Sequence, residues 1–215
     1  MNNHPSPTGA SILLDTLVAA GVDTVFGYPG GAVLPLYDAL QQEPRLRHVL
    51  VRHEQAAVHA AEGYARSTGK LGVVFVTSGP GIANTTSGLL DALSDSIPIL
   101  CISGQVATKS IGTSAFQECD ALGISRTVTK WNAQVRDANE ISQTVNAGIR
   151  MATGGRPGPV LIDVPKDIQA ARVTVPIASG ASLDTAVDLI RLSRRPIFSG
   201  GGGLINSGDP ACANF

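Results

Sequence analysis

One acidic residue stands where an α/β protein most readily does chemistry. In Val51-Arg52-His53-Glu54-Gln55-Ala56-Ala57 a hydrophobic strand hands over to an alanine-rich helix, and Glu54 sits at the junction. A carboxylate just past the C-terminal end of a parallel strand lies on the rim where open α/β sheets bind ligands. There it can accept hydrogen bonds or take part in proton transfer. The position also suits a plainer role, because an acid at a helix start favours the positive end of the helix dipole. Position alone leaves both readings open.

Two glycine-rich corners accompany it. Gly27-Tyr28-Pro29-Gly30-Gly31 follows one strand and precedes a helix, and Thr77-Ser78-Gly79-Pro80-Gly81 does the same further on. Glycines there permit positive φ and let a ligand approach the backbone, with free N–H groups at the helix start. The second corner has no P-loop lysine and does not fit G-x-G-x-x-G, which argues against a nucleoside triphosphate or an ordinary dinucleotide. Gly112-Thr113-Ser114-Ala115-Phe116-Gln117-Glu118 lies in a long polar stretch from Gly104. Its Phe beside an amide suits a small pocket for a 2-oxo acid, or equally a loop anchor. Arg156, in Gly154-Gly155-Arg156-Pro157-Gly158-Pro159, either holds an anion or is solvated in a turn. His48, His53 and His59 do not read as a metal set: His53 and His59 are poorly placed to share a helix face, and no cysteine or carboxylate completes the ligands. No G-x-S-x-G elbow or other nucleophilic triad occurs.

The elements that must position these residues alternate. Helix is expected over Ser11–Ala20, with Thr8 as N-cap and Gly21 as stop, and then a strand over Val22–Phe26. A second helix covers Ala32–Gln41, with Pro35 restricted to its first turn. Leu46–Val51 reads as a buried strand and His53–Thr68 as its helix. Leu71–Thr77 is nearly all apolar, as strands buried on both faces are. A helix over Ile82–Leu93, a buried strand over Ile97–Ser103, a helix over Ala138–Ala152 and a strand over Pro159–Val164 follow. Repeated β-α units with two-sided apolar strands imply a doubly wound parallel sheet. Its domain is placed at residues 8–172, with a linker at 173–183 and the start of a second α/β domain at 184–215, where helix Leu183–Leu192 and strand Arg195–Ser199 run into Gly200–Gly203. One helix and one strand bury no core of their own, so the chain reads as the N-terminal portion of a longer protein.

Bulk properties narrow the partners. Of 215 residues 43% are apolar, the formal net charge is -1, and there is no Lys/Arg-rich run, which argues against nucleic acid or an anionic membrane. Cys101, Cys119 and Cys212 lack metal-ligand spacing and look like reduced cytosolic thiols. No signal peptide is evident in Met1–Gly9, and no apolar run is long enough to span a bilayer. A soluble, cytoplasmic protein is expected.

Taken together, GYPGG at 27–31, RHEQ at 52–55, SGPG at 78–81, AFQE at 115–118, GRPGPV at 155–160 and DVPKD at 163–167 resemble the N-terminal part of the acetohydroxyacid (acetolactate) synthase family. The likeness runs from about Gly9 to Gly203 and implies the flavodoxin-like thiamine-diphosphate-binding fold. It implies that Glu54 hydrogen-bonds N1′ of the cofactor's aminopyrimidine and assists removal of the thiazolium C2 proton. Tyr28, Pro29, Gly30 and Gly31 then match the turn against the reaction centre, with backbone N–H groups facing it. Thr77, Pro80 and Asn84 match cofactor-proximal positions, Gln117 and Phe116 the substrate pocket, and Lys166 its entrance. Arg156 and Gly201, Gly202 and Gly203 match positions that hold a structural flavin adenine dinucleotide.

The implied reaction decarboxylates pyruvate and joins the two-carbon unit to a second 2-oxo acid in branched-chain amino-acid biosynthesis. The resemblance also implies a homodimer or higher oligomer, and a small regulatory subunit as a possible partner. Mg2+ ligands would belong to the family's C-terminal domain, no metal ligand is assigned in this chain, and the 215-residue chain alone is expected to be inactive. Three departures from the family pattern stand out: Ile82-Ala83 replaces Ala-Thr in the second corner, Ser114 replaces Asp before the AFQE loop, and Ala107 stands where many relatives have Pro. A non-catalytic binding or dimerisation module is the rival reading.

Overall fold

A computed structural model describes residues 6–173. Except for Val173, the expected linker lies outside the described residues, as do the second domain and Gly201–Gly203.

Six parallel strands form one sheet in the order β2-β1-β3-β4-β6-β5. They are β1 (Thr24–Gly27), β2 (Arg47–Leu50), β3 (Gly72–Val76), β4 (Ile99–Gln105), β5 (Trp131–Gln134) and β6 (Val160–Pro165). The helices are α1 (Gly9–Ala19), α2 (Leu34–Gln41), α3 (Glu54–Thr68), α4 (Pro80–Ala83), α5 (Thr86–Asp95), α6 (Ala121–Ser125), α7 (Ile141–Thr153) and α8 (Lys166–Ala170). The doubly wound parallel architecture is therefore present.

Strand alternation builds two core layers. Val73 and Phe75 of β3 face one side with Leu13, Leu17, Leu36 and Val145 from α1, α2 and α7. Val74 and Val76 face the other with Val58, Ala61 and Leu89 from α3 and α5. Both sets are fully buried, each large aliphatic or aromatic side chain contributing about 1.5–3 kcal/mol of transfer free energy. Gly88 lets α5 close on α3, since a Cβ there would lie 2.7 Å from Val58 Cβ.

Local signals explain most element ends. Thr8 caps α1 through a reciprocal pair with Ser11: its Oγ1 accepts from Ser11 N–H, and its own N–H donates to Ser11 Oγ. Gly21 follows with φ of +83°. His53 rather than Ser, Thr or Asp caps α3, its Nδ1 accepting from Gln55 N–H at 3.2 Å. At the other end of the unit, Val173 N–H donates to Pro7 O and Gly9 N–H to Ala171 O, so both ends of the domain are tied together.

Several expectations need correction. β2 is not a buried strand: among the described residues it pairs with β1 alone, and Leu50 is 63% exposed. The second helix begins at Leu34, after a single 3-10 turn over Gly31–Val33. The expected helix over Ile82–Leu93 is two helices, α4 and α5, broken at Asn84-Thr85, where Thr85 Oγ1 donates back to Ile82 O at 2.7 Å. The long stretch from Gly104 opens with the last two residues of β4 and contains a 3-10 turn at Thr108–Ser110. Three elements had no sequence expectation. β5 is an edge strand, half-buried throughout and only four residues long, too short for its apolar-polar alternation to stand out, and α6 and α8 are five residues each, too short to show a helical period.

Candidate active site at the sheet switch point

From β1 the strand order runs to β2 on one side and to β3 on the other. A sheet reverses direction at such a point and opens a crevice beyond its carboxyl ends, where α/β proteins bind ligands. Both glycine corners lie there, one after β1 and one after β3, and Glu54 follows β2 at the same edge.

Thr77 joins the two corners. Its Oγ1 accepts the Ala32 N–H at 3.1 Å. Its side chain fills the space beneath Gly30 and Gly81, where added Cβ atoms would lie 2.6 and 2.7 Å from it. Any side chain at Gly30 would force the corners apart. Gly31 is different, because a Cβ there would meet nothing within 4 Å. The space in front of it is open.

Glu54 is 6% exposed. Asn84 Nδ2 donates to its Oε2 at 2.9 Å, and the break between α4 and α5 is what turns Asn84 toward it. Its Oε1 lies on the side of Gly81, 3.7 Å from where a Cβ on that glycine would be. A carboxylate accepts up to about four hydrogen bonds, so one donor leaves acceptor capacity for a ligand. Tyr37 stands behind the first corner, its hydroxyl 3.4 Å from His48 Nε2. Burial, then the nearby charge of Glu54, push that hydroxyl above its ordinary range, so it stays protonated. Nothing in the sequence pattern singled out Tyr37; its place follows from β1 and β2 lying side by side.

The first corner offers fewer amides than its sequence suggests. Tyr28 N–H donates to Phe75 O at 3.2 Å, Pro29 has none, and Ala32 N–H is taken by Thr77. Gly30 and Gly31 supply what remains.

The 112–118 loop lies against the second corner: a Cβ on Gly79 would sit 2.8 Å from Gln117 O. Phe116 at its tip is 88% exposed. Glu54, Tyr28, Gly30, Gly31, Thr77, Pro80, Asn84, Phe116 and Gln117 thus share one edge of the sheet.

Lys166 and Arg156 do not join that cluster. Lys166 opens α8 after β6, on the same edge, and lines a depression of about 790 Å³ with Leu34, Asp38, Asp15 and Arg172. That depression lies between α1, α2 and α8 and contains none of the Glu54 group. Arg156 precedes β6 and so lies at the opposite edge of the sheet, where it closes the end of α5 by donating to Ser96 Oγ at 2.7 Å and Ser94 O at 2.9 Å. Such a basic group stabilises a helix C-terminus.

The sequence reading that no carboxylate joins His59 is also corrected. His59 Nδ1 is 2.7 Å from Glu62 Oε2 and 3.7 Å from Asp91 Oδ2, three potential ligands on facing helices. Glu62 is 4% exposed and its Oε1 has no hydrogen-bond partner among the described residues.

Residues 7–124 match the model of a family described as thiamine pyrophosphate enzyme, N-terminal TPP binding domain. The chain belongs to this family. Within the thiamine pyrophosphate enzymes it is similar to the acetolactate synthase catalytic subunit, mitochondrial, of Saccharomyces cerevisiae, 45% identical over 94% of this chain and 32% of that protein. The acetolactate synthase large subunit of Lactococcus lactis is likewise 45% identical, over 94% of this chain and 37% of its own length, and the chloroplastic acetolactate synthase of Arabidopsis thaliana 45% over 94% and 32%. The chain spans about a third of the curated relatives it matches. The acetohydroxyacid synthase resemblance seen in the motifs is thereby supported along nearly the whole chain. Among the described residues, no helix is long and apolar enough to cross a membrane.

Proposed function

We propose that this chain supplies the pyrimidine-binding half of an acetolactate synthase. The observation that carries the reading is Glu54: a buried carboxylate at the switch point, steadied on one oxygen by Asn84 and bordered by two glycine corners. Spare acceptor capacity beside open space in front of Gly31 fits an aminopyrimidine ring nitrogen and its amino group. Thiamine diphosphate, when bound, supplies the carbanion chemistry, and the protein orients and polarises it. The chain's own part is to hold a proton at Glu54, to shape the crevice with Tyr28, Pro29, Gly30, Thr77 and Pro80, and to present Gly31 and Gln117 near the reacting atoms. Phe116 provides an apolar wall for a 2-oxo acid, and Lys166, outside that cluster but on the same sheet edge, is assigned to the entrance by the family resemblance.

On this reading pyruvate is the donor and a second 2-oxo acid the acceptor, in isoleucine and valine biosynthesis. A homodimer or higher oligomer completes the site, Mg2+ accompanies the diphosphate through residues of another domain, and the protein works in the cytoplasm. Flavin adenine dinucleotide is assigned to Arg156 and Gly201–Gly203. Arg156 already has hydrogen-bond partners at the end of α5, so no chemical step is routed through it. A regulatory partner fits the yeast relative, whose name is that of a catalytic subunit. The test is acetolactate formation from pyruvate by the full-length protein with thiamine diphosphate and Mg2+. Release of acetaldehyde without acetolactate would overturn the assignment in favour of a simple decarboxylase.

A further inference from the structure

The 112–118 loop holds an unusual backbone on exposed ground. Ser114 and Gln117 have φ of +58° and +60°, and Gly112 has +84°. Non-glycine residues in that region are strained by about 1 kcal/mol or more each and persist only where surroundings fix them. Phe116, between the two, is 88% exposed, so its own side chain contributes little packing to hold it.

The restraint comes from the carboxylate that ends the loop. Glu118 accepts the N–H of Gly112 on Oε1 and that of Ala115 on Oε2, the latter at 3.0 Å. Its own N–H donates to Ala115 O at 2.9 Å. Hydrogen bonds from backbone N–H to an ionised carboxylate are among the stronger kinds. The Gly112 N–H, followed by those of Ala115, Ser114 and Thr113, holds this carboxyl below its ordinary range against the opposing effect of desolvation. The flanks are pinned as well: Thr113 Oγ1 donates to Ser110 O at 2.7 Å, and Gln105 Nε2 donates to Cys119 O at 2.8 Å. On its inner side the loop rests on Gly79, which has no side chain to push Gln117 away.

We infer that Glu118 is a positioning residue that selects the 2-oxo acid by fixing where Phe116 and Gln117 stand over the second glycine corner. It reaches the substrate only through the backbone it folds. The inference rests on the proposed acetolactate synthase reading for its kinetic consequence, but not for its structural one.

The experiment uses full-length protein carrying Glu118→Ala or Glu118→Gln. Hydrogen exchange of peptides covering 110–118 is measured without substrate, with peptides covering β3 and β4 as the internal control. Exchange in the loop should rise about tenfold or more in Glu118→Ala, the factor expected for losing a charge-assisted bond, and less in Glu118→Gln, which keeps one acceptor oxygen. The control peptides should be unchanged. KM for pyruvate should rise, and the ratio of products from pyruvate and 2-oxobutyrate should shift, in the same order. Unchanged loop exchange in both variants would overturn the inference, as would faster exchange with KM and product ratio both unaltered. If Glu118→Ala fails to fold, the same criteria apply to Glu118→Gln. A wild-type protein that makes no acetolactate would count against the proposed function, while the exchange data would still decide whether Glu118 holds the loop.

Discussion

Replacing Glu54 by glutamine separates the chemistry of this site from its architecture. Glutamine keeps the chain length and a carbonyl oxygen able to accept the Asn84 Nδ2 hydrogen, now made to Glu54 Oε2 at 2.9 Å. The hydrogen bond that anchors the side chain among the described residues is therefore retained. At 6% exposure a neutral amide is also easier to bury than a carboxylate, so stability should change by less than about 1 kcal/mol, a shift of roughly 4 °C or less in the melting temperature. Catalysis should not survive so well. An amide presents N–H where a proton must be held and exchanged, and loss of such a contact costs about 10²–10⁴-fold, or roughly 2.7–5.4 kcal/mol in the barrier. Glu54→Ala should differ on the structural side, because it leaves the Asn84 amide without its acceptor at a cost of about 1–3 kcal/mol. The assay is colorimetric acetolactate formation by the full-length protein, beside thermal melts followed by circular dichroism. A Glu54→Gln enzyme retaining more than about a tenth of wild-type kcat would refute the proton-holding role. A large loss of stability would instead refute the claim that Asn84 accepts either side chain.

The remaining expectations concern the surrounding structure. Gly79→Ala combines φ of +59° with a Cβ 2.8 Å from the backbone oxygen of Gln117, so it should cost about 1–3 kcal/mol in urea unfolding and displace the 112–118 loop; a cost under about 0.5 kcal/mol would show that the loop does not rest there. Phe116→Ala should leave stability within about 0.5 kcal/mol, since the ring is 88% exposed, yet alter KM for pyruvate or the product ratio; constancy of both removes Phe116 from the pocket. Asp23 is lowered to about 2 by hydrogen bonds from Lys70, then Tyr64 and Thr24. Its contribution is complete above the ordinary carboxylate value and lost as pH falls through about 2. With the side chain 48% exposed, that contribution is worth roughly 0.5–1 kcal/mol after screening. The stability gap between wild type and Asp23→Asn should therefore shrink between pH 7 and pH 2, and a gap independent of pH would argue that Asn replaces Asp without loss.

What could be read in the chain depended on whether a signal was local. β3 announced itself because Gly72–Val76 is buried on both faces and therefore apolar at every position. The two corners did so because crowding by Thr77 and Gln117 excludes side chains from Gly30 and Gly79. β5 gave no such sign: Trp131-Asn132-Ala133-Gln134 is half-buried along its length, and among the described residues β6 alone pairs with it. β2 misled for a related reason, since its aliphatic pair suggests burial while Leu50 lies on the open edge beside the site. An exposed aliphatic at a ligand-bearing rim is an ordinary property of surfaces that close on something else.

Residues whose importance depends on three-dimensional neighbours were the least legible. Asn84 was picked out only through the family resemblance, and its reason shows once the break between α4 and α5 aims it at Glu54; that break follows from Thr85 returning its hydroxyl to Ile82 O. Glu118 is one acid in a polar stretch until its carboxylate is found holding Gly112 and Ala115. On the proposed reading the two acids divide the work at one sheet edge. Glu54 comes from a strand end and a full-length helix, so it is fixed by buried structure and suited to hold a proton at a constant position. Glu118 folds an exposed loop by a handful of hydrogen bonds, so what it sets can be altered at little cost to the core. Chemistry placed on the rigid element and selectivity on the adjustable one is the arrangement by which a single fold can keep one reaction while its acceptor changes.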